Sequence, residues 1–526
     1  MNNIAAVGTV TGTGSRWQIG SDLPVGDMQG RGELQIASGG VVSCWEVSIG
    51  KQSGSEGFVT VNGNGSMLQN SVNLFVGDSG RGSLLITNGG VASNPIGHIG
   101  RNSYSEGLVT VGGVNSKWQS PTLYVGTGGK GELRVTGGGV VSNSWGIIGF
   151  NSTNAEGLVT VSGTGSQWLN SQTLSVGDRG KGELRIAGGG TVKVGPTGAG
   201  ALILASDSTS PRGILSIGGA LGQAALPAGT LQAGSITCGT GIGAKLVNFN
   251  HTETNHIFSV RLSGSLEVRQ NSGTTILAGT NTHTGNTVIS NGSLAIAEGG
   301  TLTFLIGGNG TNNAVLGTGS FQASGSFTFN LSTASTNAGH QWTIVAPSIA
   351  ASFGTNFTVA GFHGTNGNWT NSTNGVEYVF KQSTRVLSVQ PMNSYNAWGN
   401  YWRNLHPGFT NTAKTADPDG DGFSGDLEFS FDGNPAVGTT ALLAAVKSGT
   451  NAVFTWAQRK NPPGGATYAV KETSNPAAGP WTNSLVTISN SANQSGLNIP
   501  ADYERKEFRV PAASGRFFRV QATLAP

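Results

Sequence analysis

The sequence predicts an all-β protein whose larger part is a right-handed parallel β-helix, a β-solenoid with coils of about 25 residues. Three observations predict this fold: a repeat of about fifty residues, apolar residues alternating with period two inside it, and abundant glycine. Glycine occupies 86 of the 526 positions, and charged residues make up 10% of the chain, against about 25% in an ordinary soluble domain. Glycine with many β-branched residues is typical of short strands joined by tight turns.

The repeat is defined by motifs that keep one register. The strings EGFVTVNG, EGLVTVGG and EGLVTVSG begin at Glu56, Glu106 and Glu156. A second motif, VGDRGKGEL in its last copy, begins at Val25, Val76, Val125 and Val176. Each unit of fifty divides into two stretches that share one scheme of strand, glycine turn and strand, so one coil has about 25 residues. Glycines after these valines (Gly26, Gly77, Gly126 and Gly177) are predicted to make left-handed turns between the faces. A β-propeller, with blades of about 40–50 residues, is the alternative.

Charge and cysteine content exclude several classes of function. The formal net charge is +3, from 29 basic and 26 acidic residues, so nucleic acid and anionic membranes are not expected partners. No apolar run is long enough to span a bilayer. The two cysteines, Cys44 and Cys238, rule out a disulfide scaffold, and their separation by several coils predicts that they are unpaired in the monomer.

Composition divides the chain into four predicted regions. Residues 1–300 are the β-helix, regular to about 200 and degenerate beyond. Residues 301–390 are either the end of the solenoid or an appended β-domain. Residues 391–435 combine a short helix carrying Trp398 and Trp402 with a loop, and 436–526 are predicted to form a small β-sandwich.

The loop DPDGDGFSGDLE has the spacing of a twelve-residue calcium site. A hard cation requires several convergent oxygen atoms, and alternate residues of a tight loop supply them. The predicted ligands are the side chains of Asp417, Asp419 and Asp421, the carbonyl of Phe423 and the bidentate carboxylate of Glu428. Calcium is therefore the predicted, structural cofactor, and an acidic surface turn is the alternative.

Three other sets of residues are candidates for binding. Charged residues near the turns (Asp27, Asp78, Asp178, Arg31, Arg81, Lys130 and Lys181) indicate a solvated edge, with anion binding as the alternative. Trp17, Trp118 and Trp168 recur at one position of the repeat. They indicate a buried or half-buried stacking position, with a carbohydrate-binding platform as the alternative. The histidines, including His98, His251, His256 and His283, show neither metal-ligand spacing nor a serine-hydrolase context, so we predict a structural role for them.

Residues 5–200, with the strings VTVSGTGSQW, LSVGDRGKGEL and RIAGGGTV, resemble the PEP-CTERM and type V secretion-associated repeat of large bacterial surface proteins. The stretch from Thr274, TTILAGTNTHTGNTVISNGSLAI, is similar to the autotransporter-associated β-strand repeat. The C-terminal part resembles a module of secreted Verrucomicrobia-type proteins. The sequence shows neither the C-terminal barrel strands typical of autotransporters nor the Pro-Glu-Pro sorting tail of PEP-CTERM proteins. We therefore do not expect translocation through a barrel of its own or anchoring by such a tail. The sequence begins inside a repeat without a visible signal peptide, so we expect an upstream segment to be missing.

These features together predict a bacterial protein that is extracellular or on the cell surface, structural or adhesin-like, and without catalytic activity. Its expected partner is a glycan or another cell-surface component, and the sequence leaves the ligand, the export route and the oligomeric state open. One alternative is a glycan-binding module that uses the repeated tryptophans. The other is a β-helix polysaccharide lyase or hydrolase, which requires a cluster of acids on neighbouring coils, and no such cluster stands out from the repeat.

Overall fold

The structure, a computed structural model, forms two compact units. The first contains residues up to Leu305 with Asn312–Asn330 and Ile344–Ala360, and the second contains Ile306–Thr311, Leu331–Thr343 and the chain from Gly361. The residues described are 6–374, 376–391, 398–399, 401–402, 429–431, 443–460, 467–474, 476, 480–498, 502–511 and 516–523.

The first unit is a parallel β-solenoid of about thirteen coils, and each coil contributes one strand to each of three faces. Face 1 is a sheet of thirteen strands in chain order. These strands are Ala6–Thr11, Arg31–Ala37, Glu56–Asn62, Arg81–Thr87, Glu106–Gly112, Lys130–Thr136, Glu156–Ser162, Lys181–Ala187, Arg212–Gly218, Ala244–Asn250, Glu267–Ser272, Thr287–Ile289 and Val315–Gly317.

Face 2 follows face 1 in every coil and is divided into two sheets. Its first sheet has nine strands: Arg16–Gln18, Val41–Cys44, Met67–Asn70, Val91–Ser93, Lys117–Gln119, Val140–Asn143, Gln167–Asn170, Thr191–Val194 and Thr230–Gln232. Its second sheet has five strands: His256–Phe258, Thr274–Leu277, Ser293–Ile296, Ser320–Ala323 and Ala350–Phe353.

Face 3 closes each coil with a sheet of fourteen strands. They are Leu23–Val25, Val47–Ile49, Asn73–Val76, Ile96–Ile99, Thr122–Val125, Trp145–Ile148, Leu174–Val176, Ala201–Leu204, Ser235–Cys238, Arg261–Gly264, Thr280–His283, Thr301–Leu305, Ser326–Asn330 and Thr358–Val359. The strands of all three faces pair in parallel with the coils before and after them, which confirms the predicted solenoid over the propeller.

Alternation along each strand separates the core from the surface. In Glu56–Asn62 the side chains of Val59 and Val61 are buried, while those between them face outward. The second residue of such a strand is glycine because the corner is crowded, and a Cβ on Gly57 would lie 2.1 Å from the carbonyl oxygen of Val25. The predicted left-handed glycines are confirmed, with φ of +75°, +72°, +71° and +74° at Gly26, Gly77, Gly126 and Gly177.

The second unit contains antiparallel sheets. One has five strands in the order Gln341–Thr343, Val386–Pro391, Val376–Lys381, Asn368–Thr373 and His363–Thr365. Near the C-terminus lie a four-stranded sheet (Leu443–Ser448, Asn451–Arg459, Tyr503–Pro511, Ser489–Asn490) and a three-stranded sheet (Thr482–Asn483, Thr467–Thr473, Phe517–Thr523). Trp456, Phe508 and Val470 belong to one buried cluster, so these two sheets share a core.

Helix is scarce in the described part of the chain, where it occurs at residues 398–399, 401–402 and 429–431. No helix among the described residues has the length and apolar character needed to cross a membrane. Cys44 and Cys238 are free thiols. Burial raises the pKa of Cys44 to about 12 and that of Cys238 to about 11, so both thiols stay protonated at neutral pH.

Candidate functional site

The outer surface of face 1 carries a row of charged side chains whose sign alternates along most of its length. The row is formed by the first residues of consecutive strands, which pair in register. We call this row the charge ladder, and its members are Arg31, Glu56, Arg81, Glu106, Lys130, Glu156, Lys181 and Arg212. Strands lie about 4.8 Å apart, so alternation places opposite charges side by side and avoids like-charge repulsion from Arg31 to Lys181.

Several members of the charge ladder form ion pairs within the row. Arg81 Nε lies 3.2 Å from Glu106 Oε2, and Lys181 Nζ donates to Glu156 Oε1 at 2.9 Å. The hydrogen bond from Lys181 lowers the pKa of Glu156, which keeps that carboxylate ionised at neutral pH. Within the described residues, Glu56 and Lys130 have no ion pair of their own.

The sequence-based interpretation of this edge was partly wrong. It grouped the cations with Asp27, Asp78 and Asp178 on one solvated edge, but Asp78 is 7% exposed and accepts a hydrogen bond from Arg101 Nη1 at 3.0 Å. The partners of the ladder cations Arg81 and Lys181 are instead glutamates of adjacent coils. These ion pairs could have been predicted from the sequence, because the "EG" of one half-repeat aligns with the "RG" or "KG" of the next.

A second outward row on face 1 alternates between apolar and polar side chains. It is formed by the third residue of each strand, in the order Glu33, Phe58, Ser83, Leu108, Glu132, Leu158 and Glu183. Arg134 and Arg185 donate to Glu132 and Glu183, each at 2.7 Å. The repeat of about fifty residues therefore corresponds to two coils with different outer side chains, although both coils have the same backbone path.

These two rows line a groove of about 800 Å³ that spans seven strands, from the one that begins at Glu56 to the one that begins at Arg212. Its charged lining consists of five glutamates (Glu56, Glu106, Glu132, Glu156 and Glu183) and four cations (Arg81, Lys130, Lys181 and Arg212). The apolar lining includes Phe58, Leu108 and Leu158. The groove is thus nearly neutral overall and offers carboxylate acceptors, cationic donors and apolar surface along one line.

The repeated tryptophans belong to the interior. Trp118 and Trp168 have no exposed surface, and their indole Nε1 groups donate to Asn94 Oδ1 at 2.7 Å and Asn143 Oδ1 at 2.6 Å. Leu68 occupies the same inner row of face 2. The buried stack is confirmed for these two residues, and they cannot form a carbohydrate platform. Trp17 is 42% exposed.

A stack of aromatic rings lies on the outside of face 3. The ring centroids of Phe75, His98, Tyr124 and Phe150 follow one another at 5.2, 4.8 and 4.7 Å. Burial, with the nearby charge of Arg101, lowers the pKa of His98 to about 4, so its ring is neutral at pH 7. His98 and Tyr124, the two middle rings of this stack, lie on consecutive coils and are nearly parallel. This packing supports the structural role predicted for His98 from the sequence.

Among the described residues, the arrangement nearest to a catalytic one is at His251, where face 2 is interrupted. His251 Nε2 lies 2.8 Å from Thr275 Oγ1, and Nδ1 lies 3.3 Å from Glu253 Oε2 without hydrogen-bond geometry. Hydroxyl, imidazole and carboxylate follow one another as in a nucleophilic triad. However, Thr275 and His251 have no exposed surface, so a substrate cannot reach the hydroxyl. Burial lowers the pKa of His251 to about 4.

The predicted calcium ligands Asp417, Asp419, Asp421, Phe423 and Glu428 lie outside the described residues. The described residues on either side of that loop share one buried cluster, which contains Trp398, Trp402, Phe429 and Tyr503. Tyr503 donates to the carbonyl oxygen of Phe429, and the guanidinium of Arg459 lies 4.0 Å from the centre of the Phe429 ring. Within the described residues, no group of three or more His, Cys, Asp or Glu is arranged to hold a metal ion.

The chain is similar to the Adhesin BmaC autotransporter of Brucella suis biovar 1 (strain 1330), with 30% identity over 195 residues. The similarity covers 27% of this chain and 6% of that protein, so the chain corresponds to a small part of it. No protein-family model and no solved structure matches the chain. The similarity agrees with the predicted autotransporter-like passenger. The PEP-CTERM and Verrucomicrobia-type resemblances gain no support from it.

Proposed function

We propose that this protein is a secreted or surface-displayed adhesin-like passenger, in which a rigid solenoid presents a repeated outer surface to a component of another surface. The observation that carries the proposal is the similarity to an autotransporter adhesin, in a chain whose first unit is a parallel β-solenoid. A solenoid satisfies its backbone hydrogen bonds between coils, so outer side chains can vary without loss of the fold. We further propose that the regular coils, up to the strand Ala201–Leu204, are repeats of the type V secretion-associated kind.

The test is adhesion of beads coated with the purified full chain to cultured cells and to extracellular matrix. We expect saturable attachment that soluble chain competes away, with albumin-coated beads as the control. Attachment no greater than that of albumin-coated beads on every surface would contradict the proposal.

The proposal includes the absence of catalytic activity. It is supported by the inaccessibility of His251 and Thr275 and by the pairing of groove carboxylates such as Glu156 with cations. Incubation with neutral and acidic polysaccharides should release no new reducing ends and no unsaturated products. Release of either, at a rate proportional to protein concentration, would favour the lyase or hydrolase alternative.

We also propose that residues 417–428 bind calcium as a structural ion. The carboxylates of Asp417, Asp419, Asp421 and Glu428 repel one another without a cation, and Glu428 directly precedes the buried Phe429. Calcium should raise the melting temperature of the full chain and change the fluorescence of Trp398 and Trp402, with a Kd of about 10⁻⁴–10⁻³ M or somewhat tighter. Glu428→Gln should weaken binding most, and Glu298→Gln in the solenoid is the matched control. If calorimetric titration with calcium gives no heat of binding and calcium does not shift the melting temperature, the loop is only an acidic turn.

A further inference from the structure

We infer that the groove on face 1 binds a neutral, linear polysaccharide that lies parallel to the solenoid axis. This inference deepens the proposed adhesin function by assigning a site and a ligand class. The site differs from the tryptophan platform considered from the sequence, since Trp118 and Trp168 are buried.

The charge of the groove favours a neutral ligand. Five carboxylates and four cations line it, so an anionic or cationic polymer would meet repulsion at every second coil. A polyol meets none, because its hydroxyl groups donate to carboxylates and accept from ammonium and guanidinium groups. Glu56 and Lys130, which have no ion pair in the described structure, are the side chains most available for this role.

The apolar row gives the groove a period that a polymer can match. Phe58, Leu108 and Leu158 each lie two coils from the next, about 9.6 Å apart. They can pack against the C–H faces of sugar rings, while the polar side chains between them bind hydroxyl groups. The groove as a whole spans six strand spacings, or about 29 Å. A chain molecule with a regular chemical repeat meets the same set of side chains again in each pair of coils.

A second copy of this chain fits the groove less well. Antiparallel docking that pairs the ladder charges would set Glu106 against Lys130 and Glu56 against Lys181 of the other copy. The same register sets Phe58 against Glu183 and Leu108 against Glu132, which buries carboxylates against apolar side chains.

The experiment is affinity electrophoresis of the full chain in gels containing a dissolved linear glucan, mannan or galactan, with polygalacturonate and heparin as acidic polymers. The test variant is Leu108→Gln with Leu158→Gln. The matched control is Leu85→Gln, which lies on the outer surface of face 1 but does not line the groove. Melting curves check that each variant is folded.

We expect at least one neutral polymer to retard the chain, and the double variant to bind it at least about tenfold more weakly, as for buried apolar contacts at a binding site. Leu85→Gln should change binding less than about twofold. Affinity should vary little with salt, because a neutral ligand releases no counterions. It should rise with oligosaccharide length until the ligand spans about 29 Å and then level off.

Several outcomes would overturn the inference. They are retardation by acidic polymers alone, no retardation by any polymer, unchanged binding by the double variant, or a dimer in solution that the double variant abolishes. The bead adhesion assay distinguishes failure of the groove assignment from failure of the proposed adhesin function. Adhesion without polysaccharide binding refutes the groove assignment alone, whereas polysaccharide binding without adhesion refutes the adhesin function alone.

Discussion

The solenoid has two stretches, residues 6–204 and residues 205–305 with 312–330 and 344–360, which share one backbone plan but use it differently. In the first stretch the coils are nearly constant in length, since the strands that begin at Glu106, Lys130 and Glu156 follow at almost equal intervals. In the second, the interval from Arg212 to its partner Ala244 is much longer than the interval from Val268 to Thr287. In the regular stretch the first and third residues of the face 1 strands form the rows that line the groove. The charge ladder ends at Arg212, because the residue that pairs with it on the next coil is Ala244.

The interiors differ as well. Buried polar residues of the first stretch are mostly serine and asparagine at recurring positions, such as Asn70, Asn94 and Asn143. The second stretch buries two histidines, His251 and His283, which are 0% and 1% exposed. A ring whose pKa is lowered by burial makes stability depend on pH. The regular stretch has one such ring, His98, and the irregular stretch has three, His251, His256 and His283, so the comparison predicts a smaller loss of stability in acid for the regular stretch.

The largest expected effect tests how strictly the regular stretch depends on its turns. Gly126 has φ of +71°, and a Cβ there would lie 2.4 Å from the carbonyl oxygen of Glu156. Gly126→Val should therefore cost more than about 4 kcal/mol in the free energy of unfolding, measured by urea denaturation. Gly299 has φ of +78° with open space around it, so Gly299→Ala should cost about 1 kcal/mol. Equal costs would show that the clash is relieved by a small backbone shift.

The next prediction concerns acid. Burial lowers the pKa of His251 and of His283 to about 4, against about 6.5 in the unfolded chain. The unfolded chain thus binds more protons between those values, and stability falls as pH falls. The fall per fully buried histidine is at most about 1.4 kcal/mol per pH unit.

Hydrogen exchange at pH 7 and pH 5, corrected for intrinsic rates, should show protection lost first in residues 250–290. Residues 81–190 should lose less protection, because His98 is the one histidine among them. His283→Gln should reduce this sensitivity to acid, since the replaced ring contacts Thr287 Oγ1 at 3.0 Å and the amide does not titrate. Uniform loss of protection along the solenoid would refute the division into two stretches.

A smaller effect is expected inside the regular stretch. Trp118→Leu should cost about 2–3 kcal/mol, because it removes packed volume and leaves Asn94 Oδ1 without the indole donor. Leu68 already fills the same row, so the fold should be retained. Circular dichroism at native temperature should be unchanged while the melting temperature falls. Loss of the folded state would show that this row needs tryptophan in the fifth coil.

The smallest effect is expected on the charge ladder. Glu106→Gln removes an exposed ion pair with Arg81, whose side chain is 69% exposed, so stability should change by about 0–1 kcal/mol. A double-mutant cycle with Arg81→Gln measures the coupling. A coupling well above this range would indicate that the alternation stabilises the solenoid substantially.

The parts of the fold that could be predicted are those that repeat. Alternation of Val59 and Val61 and the positive-φ position of Gly77 recur in every unit, so one sequence displays them several times. The groove was not predicted, because the "EG" motif and the "RG" or "KG" motif were treated as unrelated parts of the repeat. In the structure they begin neighbouring strands and pair with each other. The interruption near His251 could not be predicted, since a single departure from a degenerate repeat has no second copy to define it. The calcium loop at 417–428 stays a prediction.

The alternating sign of the ladder has a consequence for how the length of this molecule can change. Loss of residues 106–155 would join Arg81 to Glu156 and keep opposite charges adjacent. Loss of residues 106–129 alone would instead place Arg81 beside Lys130 and Ser83 beside Glu132. A change of two coils therefore preserves the alternation of charge, and each such change adds or removes about 9.6 Å of solenoid. A solenoid that keeps this charge pattern would thus change its length in pairs of coils.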